Sequence, residues 1–332
     1  MRGALDSLFT IRAIREIRGP PFPGLHRLRR SQSCSLRCLS RNSKSYLPDV
    51  SRPPGLSLLS SVRGFWVNSA VEPGNLPPVD LTPYRAFLHE LATASGDFIR
   101  PLFGSHDVAI EIKSDLTPVT AADRGAEELM RAMIAKRFPS HGVLGEEYGS
   151  DRADAEFVWV LDPIDGTKSF ATACPLFGTL IALLHHGQPI LGCIHQPVLR
   201  QLVIGDGTTT TLNDKPVRLR EPADLASATL LVTDTLSVPQ HQSAAGWNTL
   251  CGRVRMVRTW GDCYGYLLLA TGWADIMGDP IMNPWDIAAL VPVIRGAGGV
   301  ITDWQGGEPM GAKSILAAHP EIHAEVLRVL NP

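Results

Sequence analysis

No stretch of this chain approaches the ~18 consecutive apolar residues of a helical membrane span, and none of its six cysteines stands in a C-x-x-C spacing. The first lack argues against a membrane partner, and the second against a zinc ribbon or a disulfide framework. Charge is also scarce. Only 19% of the 332 residues are charged against 44% hydrophobic, so the chain can bury a sizeable core as one large α/β domain or two lobes. Positive charge is missing from most of it: residues 65–332 hold 19 Lys/Arg against 30 Asp/Glu, near −11, which argues against nucleic acid as a partner. Acids are missing instead from residues 1–64, which carry 12 Lys/Arg, 11 Ser and only 3 Asp/Glu. That composition predicts an organelle transit peptide over 1–64, and because plastid and mitochondrial presequences overlap, composition leaves open which organelle it addresses. A secretory signal would need an apolar core longer and earlier than Leu56–Leu59. Residues 65–80, broken by Pro and Gly, read as a linker, and 81–332 as the folded domain.

The pattern predicts a helix over Tyr84–Leu102 behind Pro83, and a second from an N-cap at Thr120 to Arg137, which sets Asp123 in its first turn. Short apolar runs then predict strands at Phe157–Leu161, Gly178–His185, Ile190–His195, Leu202–Ile204 and Ala228–Val232. Helices are expected over Gln240–Cys251, Cys263–Thr271, Trp285–Arg295 and Glu321–Leu330, with strands at Arg255–Arg258, Asp275–Met277 and Ile315–Ala318 between them. Strand runs followed by helix–strand alternation indicate an α/β sandwich of several layers. His185, His186 and His195 lie on or beside the expected strands and read as structural or surface residues rather than ligands.

Four acidic elements stand out. In F-V-W-V-L-D-P-I-D-G-T-K-S-F (157–170) a strand ends in Asp162 and Asp165, the carboxyl edge where α/β sheets bind ligands. Gly166 lets a ligand approach closely, and the N–H groups of Gly166 and Thr167 could hold a phosphate oxygen if a helix starts there. The others are G-E-E at 145–147, N-P-W-D at 283–286, and K-S-D-L-T-P-V-T-A-A-D at 113–123, which offers Lys113, Asp115, Thr117, Thr120 and Asp123. Each has a plainer reading when taken singly: an Asp-Gly turn, a solvated acidic loop, a capped helix.

In this order the four elements resemble the inositol-monophosphatase-like family of Mg²⁺-dependent phosphatases, over about Leu81 to Leu330. The resemblance implies the layered α-β-α-β-α sandwich of the inositol-monophosphatase and fructose-bisphosphatase type, commonly as a homodimer. It implies that Glu146, Asp162, the Ile164 carbonyl, Asp165 and Asp286 ligate two or three Mg²⁺. All-oxygen donors suit that ion independently of the family. It further implies that Thr167 and Asp115, with Glu146, position and deprotonate an attacking water, that Gly166 and Thr167 hold the phosphate, and that no phosphoenzyme forms.

Departures from the family pattern bear on the substrate. Asp279 replaces a Glu of the inositol-binding members seven residues before Asp286, and Asp262, in W-G-D-C-Y-G-Y (260–266), replaces a small residue. One added and one repositioned carboxylate favour a cationic phosphomonoester through charge-assisted hydrogen bonds. Histidinol phosphate, with its amine and imidazole, is the expected substrate, as in the branch of the family serving histidine synthesis in plant plastids. The plainer reading of Asp262 is a cap on the helix at Cys263–Thr271. Alternative readings are an inositol or galactose phosphatase, a 3′-phosphoadenosine nucleotidase, or an idle metal-binding regulatory subunit.

Overall fold

The computed structural model describes residues 78–105, 110–112, 118–222 and 224–332, with the side chains of 110–120 outside that description. The expected presequence and Lys113, Asp115 and Thr117 lie outside the described residues. The first described helix, α1 (Thr82–Ile99), has Pro83 at its start, where a missing N–H costs nothing, and ends in a 3₁₀ turn at Arg100–Leu102. A small antiparallel pair, β1 (Ile110–Ile112) and β2 (Pro118–Thr120), leads into α2 (Ala121–Arg137).

The main sheet contains β3 (Gly142–Gly145), β4 (Gly149–Asp151), β5 (Phe157–Asp165), β6 (Gly178–His185), β7 (Gln188–Gln196), β8 (Gln201–Gly205), β9 (Thr210–Leu212) and β10 (Lys215–Val217). Its spatial order is β10-β9-β8-β7-β6-β5-β3-β4, and β3 with β5 is its parallel pair. The second sheet joins β11 (Thr229–Leu231), β12 (Met256–Arg258), β13 (Ile276–Asp279), β14 (Val300–Thr302) and β15 (Ile315–Ala318) in the order β12-β11-β13-β15-β14.

Side-chain alternation along the strands separates the layers. Trp159, Leu161, Ile181 and Leu183 pack beneath α1 and α2, against Phe87, Leu91, Met130 and Ile134. Their neighbours Val158, Val160, Leu180 and Ala182 face the other way, towards α6 (Asp262–Ala270), α7 (Pro284–Ala288) and α8 (Leu290–Gly296). The second sheet meets those helices through Met277, Ile315 and Ala317. Its opposite face, with Ile276, Leu316 and Ala318, packs on α5 (Ala244–Arg253) and α9 (Pro320–Leu330). The result is the α-β-α-β-α order. Burial on both faces explains why β6 reads as an unbroken apolar run instead of an alternating one.

Two predicted helices are broken. The segment expected as Gln240–Cys251 is α4 (Val238–His241) and then α5, restarted by Ser243, whose hydroxyl accepts the Gly246 N–H at 3.2 Å. Trp285–Arg295 divides into α7 and α8, with Pro292 unable to donate to the carbonyl one turn before it. The hairpin β9–β10 escaped the pattern because its strands have three residues each.

Candidate active site

The D-P-I-D segment is a strand with one extra residue. In the β5–β6 register Asp162 opposes Leu180 and Asp165 opposes Gly178, three residues on one strand against two on the other. Residues three apart on a regular strand face opposite sides; the bulge returns Asp165 to the side of Asp162. Pro163 suits such a position because no ladder bond is asked of its nitrogen. Its carbonyl accepts the hydroxyl of buried Thr179 at 2.8 Å, and Thr179 in turn lies 3.4 Å from Ser95 Oγ of α1. The Ile164 side chain is fully buried with Phe170 and Phe177.

Parallel pairing of β3 with β5 brings the G-E-E loop alongside: the Glu146 N–H donates to the Leu161 carbonyl at 3.1 Å, and its carboxyl stands close enough to Asp162 to raise that group. Asp286 arrives from the first turn of α7, where its Oδ2 accepts the Asn283 N–H at 2.7 Å. The capping and site readings of Asp286 therefore hold together. Asp162, Asp165 and Asp286 each present an oxygen within 4.8 Å of the others. They line a cavity of about 420 Å³ with Glu146, Ile164, Gly166, Thr167 and Asp262.

Gathering these acids is electrostatically unfavourable without a cation. Burial pushes the Asp162 carboxyl well above its ordinary range, and Glu146, Asp165 and Asp286 push it further. Burial likewise raises Asp165, then Asp262 and Asp286 add to it, although its Oδ2 accepts the Cys263 N–H at 2.5 Å. Asp286 is raised to about 7, first by burial. Asp162 Oδ1 is buried without a hydrogen-bond partner, an atom a cation would satisfy. An all-oxygen donor set fits a hard divalent ion.

Gly166 takes φ +89°, a conformation that costs glycine little, and opens the short helix α3 (Thr167–Ala171). A Cβ there would collide with Asp262 Oδ2 and the Leu176 carbonyl. The Thr167 hydroxyl lies 3.0 Å from the Ile164 carbonyl and 3.3 Å from Asp123 Oδ1. Asp115, the expected partner of Thr167, is outside the described residues. The carboxylate found on Thr167 is the buried Asp123, already legible as a first-turn acid of the T-A-A-D helix start.

Asp262 is not the helix cap its position suggested. Gly261 occupies the N-cap of α6, and Asp262 sits at φ +46° with its N–H on Thr233 Oγ1 at 2.9 Å. Its carboxylate faces Ser169 and Lys168 across the cavity. Burial, then Asp279, raises it to about 7 against the lowering influence of Lys168 and Ser169. Asp279 lies behind the wall, buried, accepting the Thr233 N–H at 3.1 Å and bonding Tyr266. It reaches the cavity through Thr233 and is absent from its lining.

Fold and site together define a phosphatase of the layered α/β class with a carboxylate cluster suited to a divalent cation. The inositol monophosphatase family model matches residues 80–331; the chain belongs to that family and is a phosphoric monoester hydrolase. It is 40% identical to the chloroplastic bifunctional phosphatase IMPL2 of Arabidopsis thaliana, over 91% of this chain and 93% of that protein. It is 38% identical to the histidinol-phosphatase of Chlorobaculum parvum, over 68% and 88% of the two chains. Among solved structures, an inositol monophosphatase from Zymomonas mobilis superposes with a TM-score of 0.69 at 34% identity, over 77% of this chain and all of that one. Among the described residues no helix is long and apolar enough to cross a membrane.

Proposed function

We propose that the protein hydrolyses histidinol phosphate to histidinol and phosphate with Mg²⁺, within histidine synthesis, after import into the chloroplast stroma. The observation that carries the substrate is Asp262, a carboxylate held on the cavity wall 97 residues beyond Asp165 in sequence and pressed against Gly166. There it can meet an ammonium or imidazolium while the phosphate occupies the cation side of the cavity. The histidinol-phosphatases among the relatives and the word chloroplastic in the name of one of them support this reading.

Glu146, Asp162, the Ile164 carbonyl, Asp165 and Asp286 would hold the ions. When bound, divalent cations neutralise phosphoryl oxygens, favour ionisation of an attacking water and stabilise the leaving alkoxide. Thr167 accepts a hydrogen bond from that water while donating its own proton towards Asp123, whose charge keeps the hydroxyl pointed that way. Glu146, beside Asp162, is the base within reach of the same water. Gly166 and Thr167 turn backbone N–H groups to the phosphate, and Lys168 adds the one ammonium on the described lining. Water attacks directly and no side chain is phosphorylated.

The test is phosphate release with Mg²⁺ from histidinol phosphate, inositol 1-phosphate and 3′-phosphoadenosine 5′-phosphate, compared as kcat/KM. Histidinol phosphate should exceed the others by at least tenfold. A preference for inositol 1-phosphate would retain the hydrolase and remove the role given to Asp262.

A further inference from the structure

Away from the carboxylate cavity, another set of ligating side chains converges among the described residues: Glu156, His185 and His186 present ligand atoms all within 4.8 Å of one another. We infer that these three residues form a second metal site, selective for a borderline-soft divalent ion of the zinc class. The donors are two imidazole nitrogens and one carboxylate, the set that favours zinc and its transition-metal neighbours over Mg²⁺.

The site is largely formed before any ion arrives. His185 is buried, its ring stacked on Phe157 at 4.6 Å and 19°, and Phe157 stacks in turn on His141 at 5.1 Å and 19°. This pile fixes the ring plane, and His185 Nε2 lies 3.1 Å from Glu156 Oε1. Two ligands of a tetrahedral zinc, each about 2.0 Å from the ion, stand about 3.3 Å apart.

His186 is placed by the backbone. His185 pairs with Gln188, leaving His186 and Gly187 as the two-residue turn of the β6–β7 hairpin, with φ +49° and +78°. Positive φ at both positions is the turn that matches strand twist. The His186 N–H donates to the Glu156 carbonyl at 2.8 Å, which ties the turn to the entry of β5, and the two imidazoles lie 4.5 Å apart between centroids. Three protein ligands leave a coordination position for water.

Phe157 and Asp165 stand at opposite ends of β5, eight residues apart, so this site is on the order of 25 Å from the phosphatase centre. An ion here clasps the hairpin turn to the start of β5. It therefore acts on stability and leaves turnover alone.

The experiment titrates Zn²⁺ into the full chain held in saturating Mg²⁺, by calorimetry, for wild type, His186→Asn and Glu156→Gln. Asn tolerates the left-handed turn conformation, and Glu156 is exposed, so neither change should disturb the fold. One Zn²⁺ should bind wild type at a site that each variant weakens at least tenfold. The thermal midpoint should rise with Zn²⁺ in wild type and not in His186→Asn, while Mg²⁺-dependent phosphatase activity stays the same in all three. Equal Zn²⁺ affinity in wild type and both variants, or Zn²⁺ released by Mg²⁺, overturns the site.

Discussion

The hydroxyl of Thr167 shows how much one residue's neighbours decide. With Asp123 Oδ1 at 3.3 Å and the Ile164 carbonyl at 3.0 Å, its proton has two acceptors, one of them a carboxylate, and its lone pairs remain for the proposed water. Asp123→Asn keeps an acceptor oxygen and the volume but removes the charge. We expect kcat to fall about 10²-fold or more, with KM and Mg²⁺ half-saturation within a few-fold of wild type; unchanged kcat would detach Asp123 from the reaction. Asp262 invites a similar change. Asp262→Asn suits φ +46° better than Ala would and deletes only the charge. KM for histidinol phosphate should rise about tenfold, equivalent to ~1.4 kcal/mol, and that for inositol 1-phosphate should stay level or fall. Equal effects on both substrates would mean that Asp262 merely supports the wall.

At the scale of elements, the loop after β3 depends on α2. Glu127, fully buried, accepts the Glu147 N–H at 2.8 Å, the Tyr148 N–H at 3.2 Å and Arg131 Nε at 2.7 Å, while Arg131 also bonds the Gly149 carbonyl. Gly145 has no room for a Cβ against the same carboxylate. The brace holds the backbone next to Glu146, and so sets where that proposed ligand stands. Glu127→Gln should cost about 2 kcal/mol in denaturant unfolding, the range for hydrogen bonds to a buried charge. It should also raise the Mg²⁺ needed for half-maximal activity several-fold. Lost stability with an unaltered Mg²⁺ requirement would confine Glu127 to the fold.

At the scale of the whole molecule, a buried histidine links stability to pH. His195 of β7 packs against α1 where Gly96 leaves space for its ring, and burial first, with Arg100 and His89 adding to it, lowers its pKa to about 4. The unfolded imidazole takes its proton near 6.5 and the native one only near 4. Native stability is therefore lost as pH falls from 6.5 towards 4, by up to about 3 kcal/mol, and this contribution levels off below 4. In urea unfolding at pH 7.5 and 5, His195→Gln should lose less stability than wild type between the two values. Parallel losses in both would assign the acid sensitivity to other groups.

The apolar runs and helix-start signals indicated a layered α/β fold from local spacing, and the order of the acidic motifs carried the family resemblance; Glu146, Asp162, Ile164, Asp165, Gly166, Thr167, Asp262 and Asp286, named on that basis, do line the cavity, whereas Leu176, Thr233, Asp234 and Thr259 were not foreseen. What spacing cannot encode is which way a side chain faces after an irregularity. Asp162 and Asp165 lie three apart, a separation that sends strand residues to opposite faces, and only the pairing of β5 with β6 shows the bulge that reunites them. Asp123 was visible as a helix-start acid, but its meeting with Thr167 required α2 to pack beside the turn that follows β5. Asp279 looked like a substrate-binding residue by its offset from Asp286, and the fold set it behind Thr233. Chemistry by residue type is thus local information, whereas contact between residues 44 positions apart, as Asp123 and Thr167 are, exists only once the layers have assembled.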